Sequence, residues 1–109
     1  MANTFKSAGN KLTTASETIL YTTPSSTTSI LKSLYAGNID SVSSVQLDVY
    51  ITKSGSGINV YIIKGAIIPI QSTLQVITEP IVLETGDVVK VMASVADDID
   101  TFLSYMEIT

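Results

Sequence analysis

The sequence predicts an all-β chain folded as a single antiparallel β-sandwich of the jelly-roll-like kind, and three observations carry that expectation. The 109 residues include 14 isoleucines and 10 valines against 8 leucines, and β-branched side chains are stiff at χ1 and favour pleated strands over helices. Short apolar segments recur between turn signals roughly every 8 to 12 residues, the spacing of an antiparallel sandwich or barrel. No segment demands a helix, and the length suits one domain with one core.

About eight short strands follow in order. Residues 1–17 (MANTFKSAGNKLTTASE) are polar and small, with Phe5 and Leu12 as the sizeable apolar groups and no period of 2 or 3.6. They are expected to form an extended N-terminal arm that a neighbouring subunit clamps, with residues 18–109 as the sandwich domain. Residues 18–23 (TILYTT) form a first strand, stopped by Pro24 and the turn cluster Ser25, Ser26, Thr27, Thr28. Residues 29–36 (SILKSLYA) alternate loosely, with Ile30, Leu34 and Ala36 on one side and Leu31, Ser33 and Tyr35 on the other, before the turn at Gly37, Asn38 and Asp40.

The clearest strand is 44–53 (SVQLDVYITK), whose Val45, Leu47, Val49 and Ile51 point to the core while Gln46, Asp48, Tyr50 and Thr52 point away. Ser54, Gly55, Ser56 and Gly57 close a hairpin with 58–64 (INVYIIK). A one-residue slip would turn the apolar set to solvent, so this pairing is unique. Pro69 confines AIIPIQ to an edge or to a crossing between sheets. Strands at 73–77, 81–83, 88–96 and 101–108 complete the chain, separated by breaks at residues 78–80, at Glu84 to Asp87 and at the acidic loop Asp97, Asp98, Asp100.

Composition excludes more than it assigns. Histidine, cysteine, tryptophan and arginine are absent, which removes the common general base, the thiolate nucleophile and the bidentate phosphate reader. No cofactor is implied and catalysis is not expected. Six lysines against ten acids, a net charge of −4, leave no basic face to release counterions from nucleic acid. No apolar run reaches the roughly 18 to 20 residues of a membrane helix, and MANTFKSAGNKL holds no apolar stretch of the signal-peptide type. A nucleic-acid or membrane partner is therefore not expected. Fourteen serines and fourteen threonines would suit a mucin-like stalk, but three prolines do not.

The side-chain clusters that could carry chemistry are weak. Asp97, Asp98 and Asp100 offer the oxygen ligands calcium takes, without the twelve-residue loop pattern and its glycine. Asp40 with Asp48, or Glu79 with Glu84, could form a glycosidase pair only at a separation that sequence does not supply. Tyr50 and Tyr61 on the outward face of the hairpin could stack on a sugar, or simply shield backbone. One feature stands higher: Ile62 and Ile63, then Ile67, Ile68 and Ile70, place isoleucine on both faces of consecutive segments, more apolar surface than one sandwich hides. Phe5, Leu12, Ile63, Ile67, Ile68 and Ile70 are therefore the candidate subunit-interface residues, and a homo-oligomer, trimeric or larger, is expected.

The opening ANTFKSAG, the strand TILYTTP, the turn YAGNID, the segment IPIQSTLQ, the unit LETGDVVKVMAS and the ending FLSYMEIT together resemble the small virion structural proteins of tailed bacteriophages. The resemblance covers nearly the whole chain. It implies a β-sandwich without catalysis, made in the host cytoplasm and assembled in repeated copies with other phage virion proteins. Capsid decoration is the favoured role. A neck, tail or fibre accessory and a glycan-binding module are the alternatives.

Overall fold

In the computed structural model, which describes residues 2–109, nine strands and no helix form among the described residues: β1 (Asn3–Lys11), β2 (Thr18–Thr22), β3 (Thr28–Asn38), β4 (Val45–Thr52), β5 (Asn59–Ile68), β6 (Thr73–Ile77), β7 (Ile81–Leu83), β8 (Val88–Ala93) and β9 (Ile99–Ile108). One sheet has the order β1-β9-β3-β6, with β7 also on β3, and the other has the order β2-β8-β4-β5. All pairings are antiparallel; one set is nested, β4 with β5, β3 with β6 and β7, β2 with β8, β1 with β9, and winding this set adds β3 beside β9 and β4 beside β8. The chain is thus one long hairpin, with its tip between β4 and β5, wound so that most connections cross from sheet to sheet. This is the jelly-roll winding of the expected sandwich.

The core lies between the sheets. Leu47, Val49, Val89 and Val91 from one layer meet Leu31, Leu34, Ile99 and Leu103 from the other, all fully buried. The predicted alternation of β4 holds on its core side, since Val45, Leu47, Val49 and Ile51 are all buried. In β3 the loose alternation has a mechanical cause. The register with β9 steps from Leu31↔Tyr105 to Ser33↔Ser104, so Lys32 is an extra residue that bulges out and reverses the phase of the strand. Ser29 and Leu31 point inward before it, and Leu34, Ala36 and Asn38 after it. Leu31 is therefore a core residue together with Leu34, not on the opposite face.

Bulges also resolve the doubled isoleucines of β5. The β4–β5 register breaks on both sides of Val49, leaving Ile62 and the Lys64–Gly65 step unmatched. Gly65 has φ +67°, a left-handed conformation that glycine adopts without a Cβ penalty, and its N–H donates to Asp48 Oδ1 at 2.6 Å. Ile62 and Ile63 consequently both rest half-buried against the core. Past Ile68 the chain crosses to the opposite sheet at Pro69, as the proline required.

The expected extended arm of residues 1–17, clamped by a neighbour, is instead held over most of its length by the chain's own β9. Met1 lies outside the described residues, but Asn3–Lys11 is an edge strand paired along its whole length with β9. The residues it turns inward, Thr4, Lys6, Ala8 and Asn10, are small or polar, while its aromatic Phe5 faces out, so the usual alternation is inverted. Leu12 then closes the sandwich from that edge.

Candidate subunit interface

The outer face of the sheet containing β1, β9, β3, β6 and β7 can be built up from its registers. Inward positions of β9 alternate with Asp100, Phe102, Ser104, Met106 and Ile108, which face out. Met106 stands opposite Phe5 on β1 and Ile30 on β3, and Ile30 stands opposite Val82 on β7. This gives one apolar row, Phe5–Met106–Ile30–Val82, across four strands. Two positions along, Phe102 faces Gly9 and Tyr35, with Gln75 beyond. Ser7, Ser104 and Ser33 form an uncharged row between them.

The ring of Phe102 lies over Gly9, so close that a methyl group at position 9 would meet its Cδ1 at 3.3 Å. A bare glycine beneath an aromatic ring on the neighbouring strand keeps that part of the edge covered. Phe5 is 74% and Phe102 50% exposed. The face carries the Lys11–Asp100 ion pair (2.7 Å) at one end and Lys32 at the bulge. Lys32 thus stands between the serine row and the Phe5–Met106–Ile30–Val82 row; the rest of the face between is uncharged and largely apolar, the character of the centre of a protein–protein contact.

The sequence-predicted interface residues divide. Phe5 belongs to this face. Ile67 (63% exposed) and Ile70 are exposed on and just beyond β5, on the other sheet, and Ile63, opposite Val49, is half-buried against the core. Leu12 and Ile68 are each 1% exposed and packed into the chain's own core, so neither is available to a partner. Both are corrections with one cause: the end of β1 and the end of β5 fold back over the core, where sequence reading had left them unpaired. Ile30, Tyr35, Val82, Phe102 and Met106 were not anticipated. The available signal was that 101–108 carries apolar residues at both parities.

Several titratable groups are engaged in structure. Tyr21 on β2 donates to Glu107 Oε2 on β9 (2.6 Å) and accepts from Ser29 Oγ (2.5 Å), and Lys6 on β1 reaches Glu107 Oε1 at 2.9 Å. The Tyr21 hydroxyl and then the Lys6 ammonium hold the Glu107 carboxyl below its usual range, while burial and Glu107 push Tyr21 up. Asp87 is fully buried beside the hairpin tip and accepts from Lys53 Nζ (2.7 Å), Glu84 N (2.9 Å) and Ser54 N (3.1 Å). Burial alone would raise it, but the Lys53 ammonium and the two N–H donors outweigh that and hold it low.

The weaker candidates do not come together. No group of three or more acidic side chains is placed to hold a metal ion among the described residues; Asp100 pairs with Lys11, and Asp97 has φ +69° in a turn. Asp40 accepts from Ser43 N (2.9 Å), Asp48 from Gly65, and Glu84 pairs with Lys53 (3.1 Å). Tyr50 is 3% exposed, its hydroxyl bonded to Glu17 and its ring packed on Tyr61 at 4.8 Å. Lys64 stands over the Tyr61 ring at 4.4 Å. The two tyrosines stack on each other and offer no paired platform for a sugar.

No protein-family model matches this chain, and no curated protein matches its sequence significantly. Solved structures do match the fold. A subunit described under "Bacillus endospore appendages form a novel family of disulfide-linked pili" superposes with a TM-score of 0.55 at 13% identity, covering 99% of this chain and 87% of that one. A chain of the T13 particle of infectious bursal disease virus gives 0.56 at 12% identity, and one from the Gx strain of that virus gives 0.54 at 15% identity; they cover 96% and 97% of this chain. The present chain spans 30% of the length of either viral chain. At these identities the shared property is the antiparallel two-sheet fold.

Proposed function

We propose that the chain is a non-enzymatic structural subunit that assembles in multiple copies on a bacteriophage particle, as a capsid decoration or cement protein. The observation that carries the assembly reading is the largely apolar outer face with its rows Phe5–Met106–Ile30–Val82 and Phe102–Tyr35. A full burial of each such large side chain contributes about 1.5–3 kcal/mol, so a partner covering several of them gains enough to offset part of the cost of association. The matched structures come from a pilus and from virus particles, which suits the same reading. With no cysteine in the sequence, copies of this chain are held without the disulfide links those pili are named for. The bacteriophage and the decoration role rest on the sequence resemblance, and a neck, tail or fibre position is the second reading within it.

Analytical ultracentrifugation of the purified chain at high micromolar concentration is expected to show a homo-oligomer, trimeric or larger. A compact monomer that binds no ANS overturns the assembly reading. Imaging of particles carrying a labelled subunit is expected to place the label on the head; a label confined to the tail selects the accessory role, and its absence from particles overturns the virion role.

A further inference from the structure

Two sheets leave four edges, and three of them are blunted. β5 has two bulges and Lys64 on its edge, and β2 is five residues long with a register break at Leu20 and Pro24 just beyond. The third edge is divided between β6, which has a register break of its own, and the three-residue β7, with Pro80 between them. Shortness, bulges, lysine and proline are the devices that keep sheet edges from pairing. β1 has no proline, no bulge and no shortness; its two lysines, Lys6 and Lys11, are both held in ion pairs with β9 residues, Glu107 and Asp100. It runs for nine residues with no register break against β9.

The free backbone groups of β1 can be assigned. Ala2 and Thr109 exchange both of their hydrogen bonds (3.2 and 3.0 Å), and Leu12 N–H donates to Ile99 at 2.9 Å. Antiparallel pairs alternate between bonded and non-bonded, so the even residues of β1 bond β9. The odd residues, Asn3, Phe5, Ser7, Gly9 and Lys11, aim their N–H and C=O groups at the open edge.

We propose that β1 pairs antiparallel with β1 of a second copy about a two-fold axis at Ser7, joining the two five-stranded sheets into one. This deepens the assembly reading and rests on it, by naming the partner and the register. The sequence of β1 is self-complementary at that register. Phe5 of each copy faces Gly9 of the other, which the Phe102 ring overlies, Lys6 faces Ala8, and Lys11 faces Asn3, so no lysine meets a lysine. Every odd residue gains a partner, and each such pair exchanges two hydrogen bonds. Centring the pair on Lys6 instead would set two ammonium groups face to face; centring it on Ala8 would set Phe5 against Lys11 and leave Asn3 unpaired. At the Ser7 register the row Val82–Ile30–Met106–Phe5 of one copy runs on into the row Gly9–Phe102–Tyr35 of the other, so the apolar face becomes continuous across the pair. A closed two-fold pair presents that doubled face to further copies.

The absence of cysteine makes the test direct. Directly opposed residues of a bonded antiparallel pair have Cα atoms about 5.5 Å apart, within disulfide reach. Under mild oxidation Ser7→Cys is expected to give covalent dimer in several-fold higher yield than Ser41→Cys, which sits on an exposed loop. Ser7→Pro removes an N–H that faces the open edge rather than β9; it is expected to keep the far-UV CD spectrum and to sediment at lower mass than the wild type. Equal cross-linking yields overturn the proposal, as does a folded Ser7→Pro of unchanged mass; should Ser7→Pro not fold, the cross-linking comparison decides. In each of those cases an oligomeric wild type leaves the assembly reading standing, whereas a monomeric wild type overturns both.

Discussion

Tyr21 and Glu107 come from strands in opposite sheets and meet inside one end of the sandwich, the phenol donating to the carboxylate at 2.6 Å while its ring packs on Tyr105 with centroids 4.2 Å apart. Through Glu107 the contact extends to Lys6, so one buried carboxylate ties β2, β9 and the edge strand β1 together. Hydrophobic packing is thin there, because the inward side of β1 carries Thr4 and Lys6, and the polar network takes its place.

Tyr21→Phe tests that role. The ring and its packing stay, but Glu107 loses a donor and Ser29 Oγ its acceptor. A hydrogen bond to a charged group contributes about 1.5–3 kcal/mol, and a loss of that size in urea-unfolding free energy is expected. A loss within about 0.5 kcal/mol, the range of ordinary surface changes, would mean the network is dispensable.

The same network sets a pH dependence with a definite sign. Glu107 and Asp87 titrate in the folded chain below their ordinary values of 4.5 and 3.8. Their contribution is therefore complete above those ordinary values and is lost as pH falls through the lowered folded ones. Tyr21 and Tyr50 are raised above 10.0, so their contribution is complete below pH 10 and is lost as pH climbs through the raised values. Urea midpoints should form a plateau through neutral pH with a fall on each side, and Glu107→Gln should flatten the acid fall. An acid fall unchanged in that variant would remove Glu107 from the account.

How far these features could be read from sequence depended on whether alternation survived. β4 was legible because Val45, Leu47, Val49 and Ile51 all point inward without interruption. β3 was legible as a strand but not in its faces, since the bulge at Lys32 exchanges them halfway. β1 was not legible at all: its inward residues are Thr4, Lys6, Ala8 and Asn10, and its pairing with β9 joins the two ends of the chain, a contact no local pattern announces. The outer face suffered the same way. Phe5 could be flagged singly, but Met106, Ile30 and Val82 become its neighbours only through three long-range registers.

The correction at Leu12 and Ile68 has a measurable form. Truncating a fully buried Leu or Ile to Ala costs about 2–5 kcal/mol, and Leu12→Ala and Ile68→Ala are expected in that range. Ile67→Ala and, in the dissociated chain, Phe5→Ala, at exposed positions, are expected within about 0.5 kcal/mol of the wild type. Equal effects across the four would contradict the division between core and surface.

Gly86 in the turn before β8 has φ +85°, and a Cβ there would lie 2.7 Å from the Cβ of Ser54. A left-handed conformation costs a non-glycine residue about 1–2 kcal/mol, and the contact with Ser54 adds to it. The displaced hairpin tip would also disturb Ser54 N–H and Lys53, both donors to the buried Asp87. Gly86→Ala is expected to lose at least that energy in thermal or urea unfolding, and to flatten the acid fall of stability as Asp87 loses the donors that hold it low. Unchanged stability would show that the turn relaxes without strain.

Phe102→Lys separates the two surfaces that could hold copies together. The side chain is half exposed in the single chain, so the fold should survive, while an ammonium placed in a covered apolar face, beside an Asp100 that Lys11 already pairs, is taken out of water at a cost of several kcal/mol. Dissociation is expected at concentrations where the wild type is assembled, with CD and urea midpoint close to those of the wild type. Ile67→Lys, on the edge of the opposite sheet, is expected to leave the sedimenting mass unchanged. The reverse outcome would move the contact to the isoleucine-rich β5 side that the sequence first suggested, because the outer face of β1, β9 and β3 could then accept a charge at Phe102 without consequence.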